Sequence, residues 1–139
     1  RCNPTMVEAS WLGDAVWLSD ISSVYGVPGL LTPFWTSLLD SSCFAQLPGQ
    51  IQAAFRFFLA ASERDDLAIL REGSSIIDYN FDVPGFRNYR VLHMLAAYQR
   101  LDRPAAASLF MDRFNPGDKL GLEVLVLSAW LRSRAQPQD

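Results

Sequence analysis

The first 55 residues carry only Arg1, Glu8, Asp14, Asp20 and Asp40 as charges, yet hold Trp11, Trp17, Tyr25, Phe34, Trp35, Phe44 and Phe55. Each large aromatic offers roughly 150–250 Å² for burial, so this stretch must be covered, either by the rest of the chain or by a partner. Residues 56–139 carry eleven bases and eleven acids and supply the polar surface that the first part lacks. A chain of 139 residues, half of them hydrophobic, is long enough to build one well-cored domain.

The charge balance and the cysteine count narrow the function classes. With 19% charged residues and a net charge of −3, the chain has no basic excess to drive nucleic-acid binding by charge alone, and Asp65-Asp66 is its longest acidic block. Cys2 and Cys43, far apart, read as neither a disulfide framework nor a metal-ligand pair. A single histidine excludes a His-based zinc or catalytic cluster, so no metal and no cofactor are expected. Asp14, Asp20 and Asp40 interrupt the most apolar third, and no run reaches the ~18–20 residues that span a bilayer. Arg1 in place of Met reads as the start of a processed product or a fragment.

Local signals predict helices almost throughout. Asn3-Pro4 opens a first helix whose apolar positions, Val7 through Val24, cover more than one face before Gly26 closes it. Thr32-Pro33 opens a short aromatic helix to about Leu39, and Pro48-Gly49 precedes one that runs through Phe55, Phe58 and Leu59. Ser62 is expected to cap a helix from Glu63 to Glu72 with Gly73 as its stop, and Ser75 to Tyr79 is the only candidate strand. A helix from Arg87 to Leu101 follows, then one capped by Asp102 through Phe114, then a turn at Asn115-Pro116-Gly117-Asp118. The last helix, 118–134, is almost continuously apolar and ends in Arg132 and Arg134, which suit a helix C-terminus. The prediction is one all-α domain over residues 1–139, without internal repeats.

Two stretches carry a family likeness. Trp11-Leu12-Gly13-Asp14-Ala15-Val16-Trp17 resembles the signature helix of the ribonuclease III family, in which an aromatic or aliphatic pair precedes Gly-Asp-Ala-Val. Glu63 to Gly73, a loop, Asn88 to Tyr98, then Leu101 and Leu109 are similar in order to the compact bacterial form, mini-ribonuclease III. The resemblance covers about residues 5–112 and implies a ribonuclease III endonuclease-like helical domain.

Cutting an RNA phosphodiester with two divalent ions requires several converging carboxylates. By resemblance, Asp14 stands at the family's catalytic Asp, Ser10 where larger members carry Glu, His93 at the metal-binding Glu and Arg90 at an Asp. A hydroxyl, an imidazole and a guanidinium cannot replace those carboxylates, so the resemblance implies a degenerate site and no enzyme activity. The family's basic run after its acidic helix is reduced here to Arg71.

The resemblance therefore implies a non-catalytic structural subunit of a large ribonucleoprotein, foremost the mitochondrial ribosome. Its contacts would be with protein and some structured RNA, and the mitochondrial location follows from the family alone. Trp11, Gly13, Trp17 and Trp35 are expected at an interface with a homologous or identical ribonuclease III-like subunit, Gly13 by allowing close helix approach. Arg71, Arg87, Arg90, Arg100 and Arg103 are the candidate RNA contacts. The plainer reading makes the arginines, interspersed with Asp102, Asp112 and Asp118, a mixed solvated face, and His93 structural. Two rivals stand beside this one: an active Mg²⁺-dependent double-stranded RNA endonuclease of mini-ribonuclease III type, with Asp14, Asp78 and Asp82 around the metal, and a helical adaptor unrelated to RNA.

Overall fold

The computed structural model describes residues 17–18, 27, 29–76, 86–113 and 120–136. Among them are six α-helices, one short 3-10 turn (Phe44–Gln46) and no strand: α1 (Thr32–Leu39), α2 (Gly49–Glu63), α3 (Asp66–Ser75), α4 (Phe86–Arg100), α5 (Pro104–Arg113) and α6 (Leu122–Ala135). The all-α class expected from the sequence is what the chain adopts. Of the first predicted helix only Trp17 and Leu18 are described, both helical, and the turn at 115–118 lies outside the described residues.

Helix α1 begins where Thr32-Pro33 predicts, with Pro33 in the first turn, where a missing N–H leaves nothing unsatisfied. Gly29, at φ 84°, makes the turn before it and donates its N–H to the Ser62 carbonyl at 2.6 Å, which pins the start of α1 to the end of α2. The junction after α2 departs from expectation. Ser62 does not cap a helix; it is buried in the last turn of α2, which ends at Arg64 in the left-handed conformation, φ 55°. Asp65 is the cap of α3, its carboxylate accepting from the Ala68 N–H at 3.2 Å.

Gly73 does not stop α3, which continues to Ser75. A Cβ at Gly73 would lie 2.6 Å from Met94 Sδ and 3.1 Å from Phe57 Cε2, so glycine here lets α3 approach both α2 and α4. Ser75 is helical and Ile76 lies in a turn, which removes the start of the candidate strand; Ile77 to Tyr79 lie outside the described residues. Asp102 does not cap α5. It follows α4 at φ 54° as a left-handed turn residue, and α5 starts at Pro104.

Helix α2 is central, packing on α1 and on α3; α3 packs on α4, which also contacts α5 and α6, and α5 and α6 lie against each other. The core is an aromatic stack across α1, α2 and α4. Trp35 lies 4.8 Å from Phe58 between ring centroids, and Phe58 meets Phe86 edge-on at 5.5 Å and Tyr89 at 5.8 Å. Burying each such ring contributes about 1.5–3 kcal/mol, and edge-to-face pairing adds about 0.5–1.5 kcal/mol.

Polar ties fix the outer helices on this core. Asn88 Oδ1 accepts from the Gly121 N–H at 2.6 Å, anchoring the start of α6 to α4. Arg100 bridges to Asp66 at 2.7 Å between α4 and α3. Arg132 bridges to Asp112 on α5 at 2.9 Å, and Arg134 to Asp102 at 2.7 Å. Each exposed pair is worth about 0–1 kcal/mol, so the inner side of α6 is defined by its buried residues Val124, Ser128 and Leu131.

Candidate interaction surface

Among the described residues, those expected to carry function do not gather at one place. Ser10, Trp11, Gly13 and Asp14 lie outside the described residues, as do Asp78 and Asp82. Trp17 is described and exposed. Trp35, expected at a partner interface, is instead fully buried inside the chain against Phe34, Phe55 and Phe58; it belongs to the core.

Arg90 and His93 are also interior, 1% and 4% exposed. Arg90 Nη1 donates to the carbonyl of Ile76, the residue that ends α3, and its guanidinium lies 5.7 Å from the centre of the Phe86 ring. A cation at a helix C-terminus satisfies carbonyls left without partners and complements the helix dipole. Arg90 is thus inaccessible to RNA, which corrects its place among the RNA contacts. His93 lies 4.4 Å from Tyr89 between ring centroids, the two rings tilted by 44°.

The remaining arginines are dispersed. Arg71 and Arg56 both approach Glu72, at 3.5 and 3.6 Å, and Arg100 is held by Asp66. Arg87 and Arg100, at opposite ends of α4, are separated by about 20 Å at 1.5 Å per residue. Arg103 is exposed beside Tyr98. Burial lifts the Tyr98 hydroxyl above the ordinary tyrosine range, opposed by the positive charges of Arg103 and Arg113. Among the described residues no group of three or more His, Cys, Asp or Glu side chains is placed to hold a metal ion.

Cys43 is disulfide-bonded, which corrects the expectation that the cysteines do not pair. Cys2 is the only other cysteine in the sequence. Spacing alone hides such a link, because closing a long loop adds only slowly to the entropic cost as the loop grows.

Among the described residues, the strongest surface feature is the outer side of α6. Its inner side, Val124, Ser128 and Leu131, is buried against α4 and α5. Its outer side carries Leu122, Leu125, Val126 and Trp130, between 52% and 74% exposed. A globular surface helix ordinarily opposes an apolar stripe with a polar one, whereas a helix apolar all round is ordinarily buried all round. Leu122, Glu123, Val126, Leu127 and Trp130 line a shallow groove of about 440 Å³ along this face.

The lining is apolar apart from the Glu123 carboxylate, and such a face can bind apolar surface. The near-continuous apolar run Leu120 to Leu131 was the sequence signal for it, since no polar stripe interrupts the run at helical spacing. Comparison with protein-family models, with curated proteins and with solved structures finds no match to this chain.

Proposed function

We propose that this chain is a non-catalytic helical subunit that assembles with other macromolecules through the outer face of α6. The observation that carries this reading is the exposed set Leu122, Leu125, Val126 and Trp130 on a helix whose opposite side is already packed into the domain. Contiguous apolar exposure of this kind marks protein contact sites, and aromatic residues such as Trp130 are the usual anchors in them. The ribonuclease III resemblance supplies the class of assembly, a large ribonucleoprotein such as the mitochondrial ribosome, with a ribonuclease III-like fold serving as scaffold. The burial of Arg90 and His93 supports the non-catalytic part of the reading, because neither is positioned to meet a phosphate.

A second reading, a helical adaptor that contacts protein only, is favoured by the pairing of the arginines with acids. Arg71, Arg100, Arg132 and Arg134 all have carboxylate partners within the chain, as a mixed solvated face does. The disulfide at Cys43 suits an oxidising compartment, where such bonds persist, better than one where thiols are kept reduced.

Density-gradient fractionation of native extract with detection of this chain, with and without ribonuclease, separates the readings. Sedimentation with a large particle that collapses under ribonuclease supports the ribonucleoprotein subunit. Sedimentation with a large particle indifferent to ribonuclease supports the protein adaptor, and sedimentation of the chain without larger partners removes both.

A further inference from the structure

We propose that the outer face of α6 pairs with the same face of a second copy of this chain, the two helices running antiparallel about a two-fold axis. The inference rests on the reading above in one respect, that this face is a docking surface, and it names the occupant.

The face complements itself in shape. At 100° per residue, Trp130 and the groove residues Glu123 and Leu127 lie on one edge of the outer side, with Val126 near its middle. In an antiparallel two-fold pair, each edge of one helix meets the same edge of its partner. Trp130 of one copy therefore reaches the groove of the other when the axis passes near Ser128, at the middle of α6.

The face also complements itself in charge, in the same register. Glu123 stands in the first turn of α6 and Arg134 in the last, and the wheel places both on the edge that carries Trp130. An axis near the helix middle sets Glu123 of each copy opposite Arg134 of the partner subunit, so the pair is made twice. The present Arg134–Asp102 bridge is solvent-exposed and weak enough to be shared. The groove and the charges thus independently select one register.

The area fits a reversible dimer. Covering Leu122, Leu125, Val126 and Trp130 on both copies, together with their flanks, removes on the order of 1,000 Å² from water, at the lower limit of specific interfaces.

Sedimentation velocity of the intact chain tests this over about 5–500 µM, a range that brackets micromolar affinity. The expected result is a monomer–dimer equilibrium, weakened at least about tenfold by Trp130→Ala, whose exposed side chain leaves the fold intact by circular dichroism. Glu123→Arg and Arg134→Glu should each weaken the dimer, and the double variant should recover most of the loss. A monomer at every concentration, a dimer indifferent to Trp130→Ala, or a double variant no better than the singles overturns the pairing. If the chain is monomeric yet Trp130→Ala releases it from the large particle in extract, the two-fold pairing fails while the docking reading stands. If it dimerises as described but sediments without larger partners, the pairing stands and the subunit reading fails.

Discussion

Helices α2 and α6 are similar in length and both rich in apolar residues, but the domain treats them differently. Helix α2 buries Ala53, Ala54, Phe55, Phe57, Phe58, Ala60 and Ala61, because α1 and α3 both pack on it and the α1–α2–α4 aromatic stack passes through it. Helix α6 buries Val124, Ser128 and Leu131 and leaves an equally apolar side in water. Apolar content thus reports how much surface must be covered; the topology decides how much of it the chain covers itself. On the reading proposed above, the surplus on α6 is the surface that a partner would cover.

The sharpest test is to truncate one large aromatic on each helix. Phe58→Ala removes a fully buried ring from the α1–α2–α4 stack and should cost about 3–5 kcal/mol in denaturant unfolding. Trp130→Ala removes a larger side chain but, at low protein concentration, should change stability by only about 0.5 kcal/mol in either direction. Equal losses at the two positions would show that the outer face of α6 is packed within the chain.

The same contrast holds within α6 itself. Leu131, buried on the inner side, should lose about 2–4 kcal/mol on change to Ala, whereas Leu125→Ala on the outer side should lose less than about 0.5 kcal/mol. These two substitutions share helix propensity and side-chain size, so any difference reports burial alone. If both cost the same, α6 has no distinct inner and outer sides.

The helices on both sides of this contrast were legible in the sequence, their difference in burial was not, and what was missed has identifiable causes. Thr32-Pro33 and Pro48-Gly49 place the starts of α1 and α2 because proline cannot continue a helix but suits its first turn. The α2–α3 junction was misplaced because the chain turns at Arg64, a residue type without preference for the left-handed conformation, so neither glycine nor asparagine marks it. Gly73 carried the opposite error: its role is close packing against Met94 and Phe57, which only tertiary contact reveals. Trp35 and Arg90 show the same limit for the site. Whether a tryptophan faces a partner or the core, and whether an arginine meets phosphate or a helix-end carbonyl, depends on neighbours distant in sequence.

Reduction of the Cys43 disulfide probes a region distant from α6 in sequence. Loss of such a bond typically costs about 2–4 kcal/mol, so dithiothreitol should lower the denaturation midpoint of the oxidised chain. Cys43→Ser should remove the response to reductant. Because Cys43 precedes α2 in sequence and is far in sequence from α6, the Trp130→Ala effect on self-association should be the same with and without reductant. A reductant-sensitive dimer would tie the outer face to the disulfide and blur the distinction between the two regions.

The smallest effect is expected at Tyr98, which lies between these extremes, half-buried on α4 with its ring 5.9 Å from Phe110 of α5. Burial raises its folded-state pKa, while Arg103 and Arg113 pull in the opposite direction. In the unfolded chain the hydroxyl ionises at about pH 10. Below that value both states keep the proton and the contribution to stability is fully present. As pH rises past it, the unfolded chain releases its proton first, which favours unfolding until the folded hydroxyl ionises as well. Denaturant midpoints at about pH 9 and pH 11 should therefore fall more for the native chain than for Tyr98→Phe, whose ring keeps the contact with Phe110 but has no proton to lose. An equal fall in both would place Tyr98 with the solvated outer side of α6 and not with the buried interior of α2.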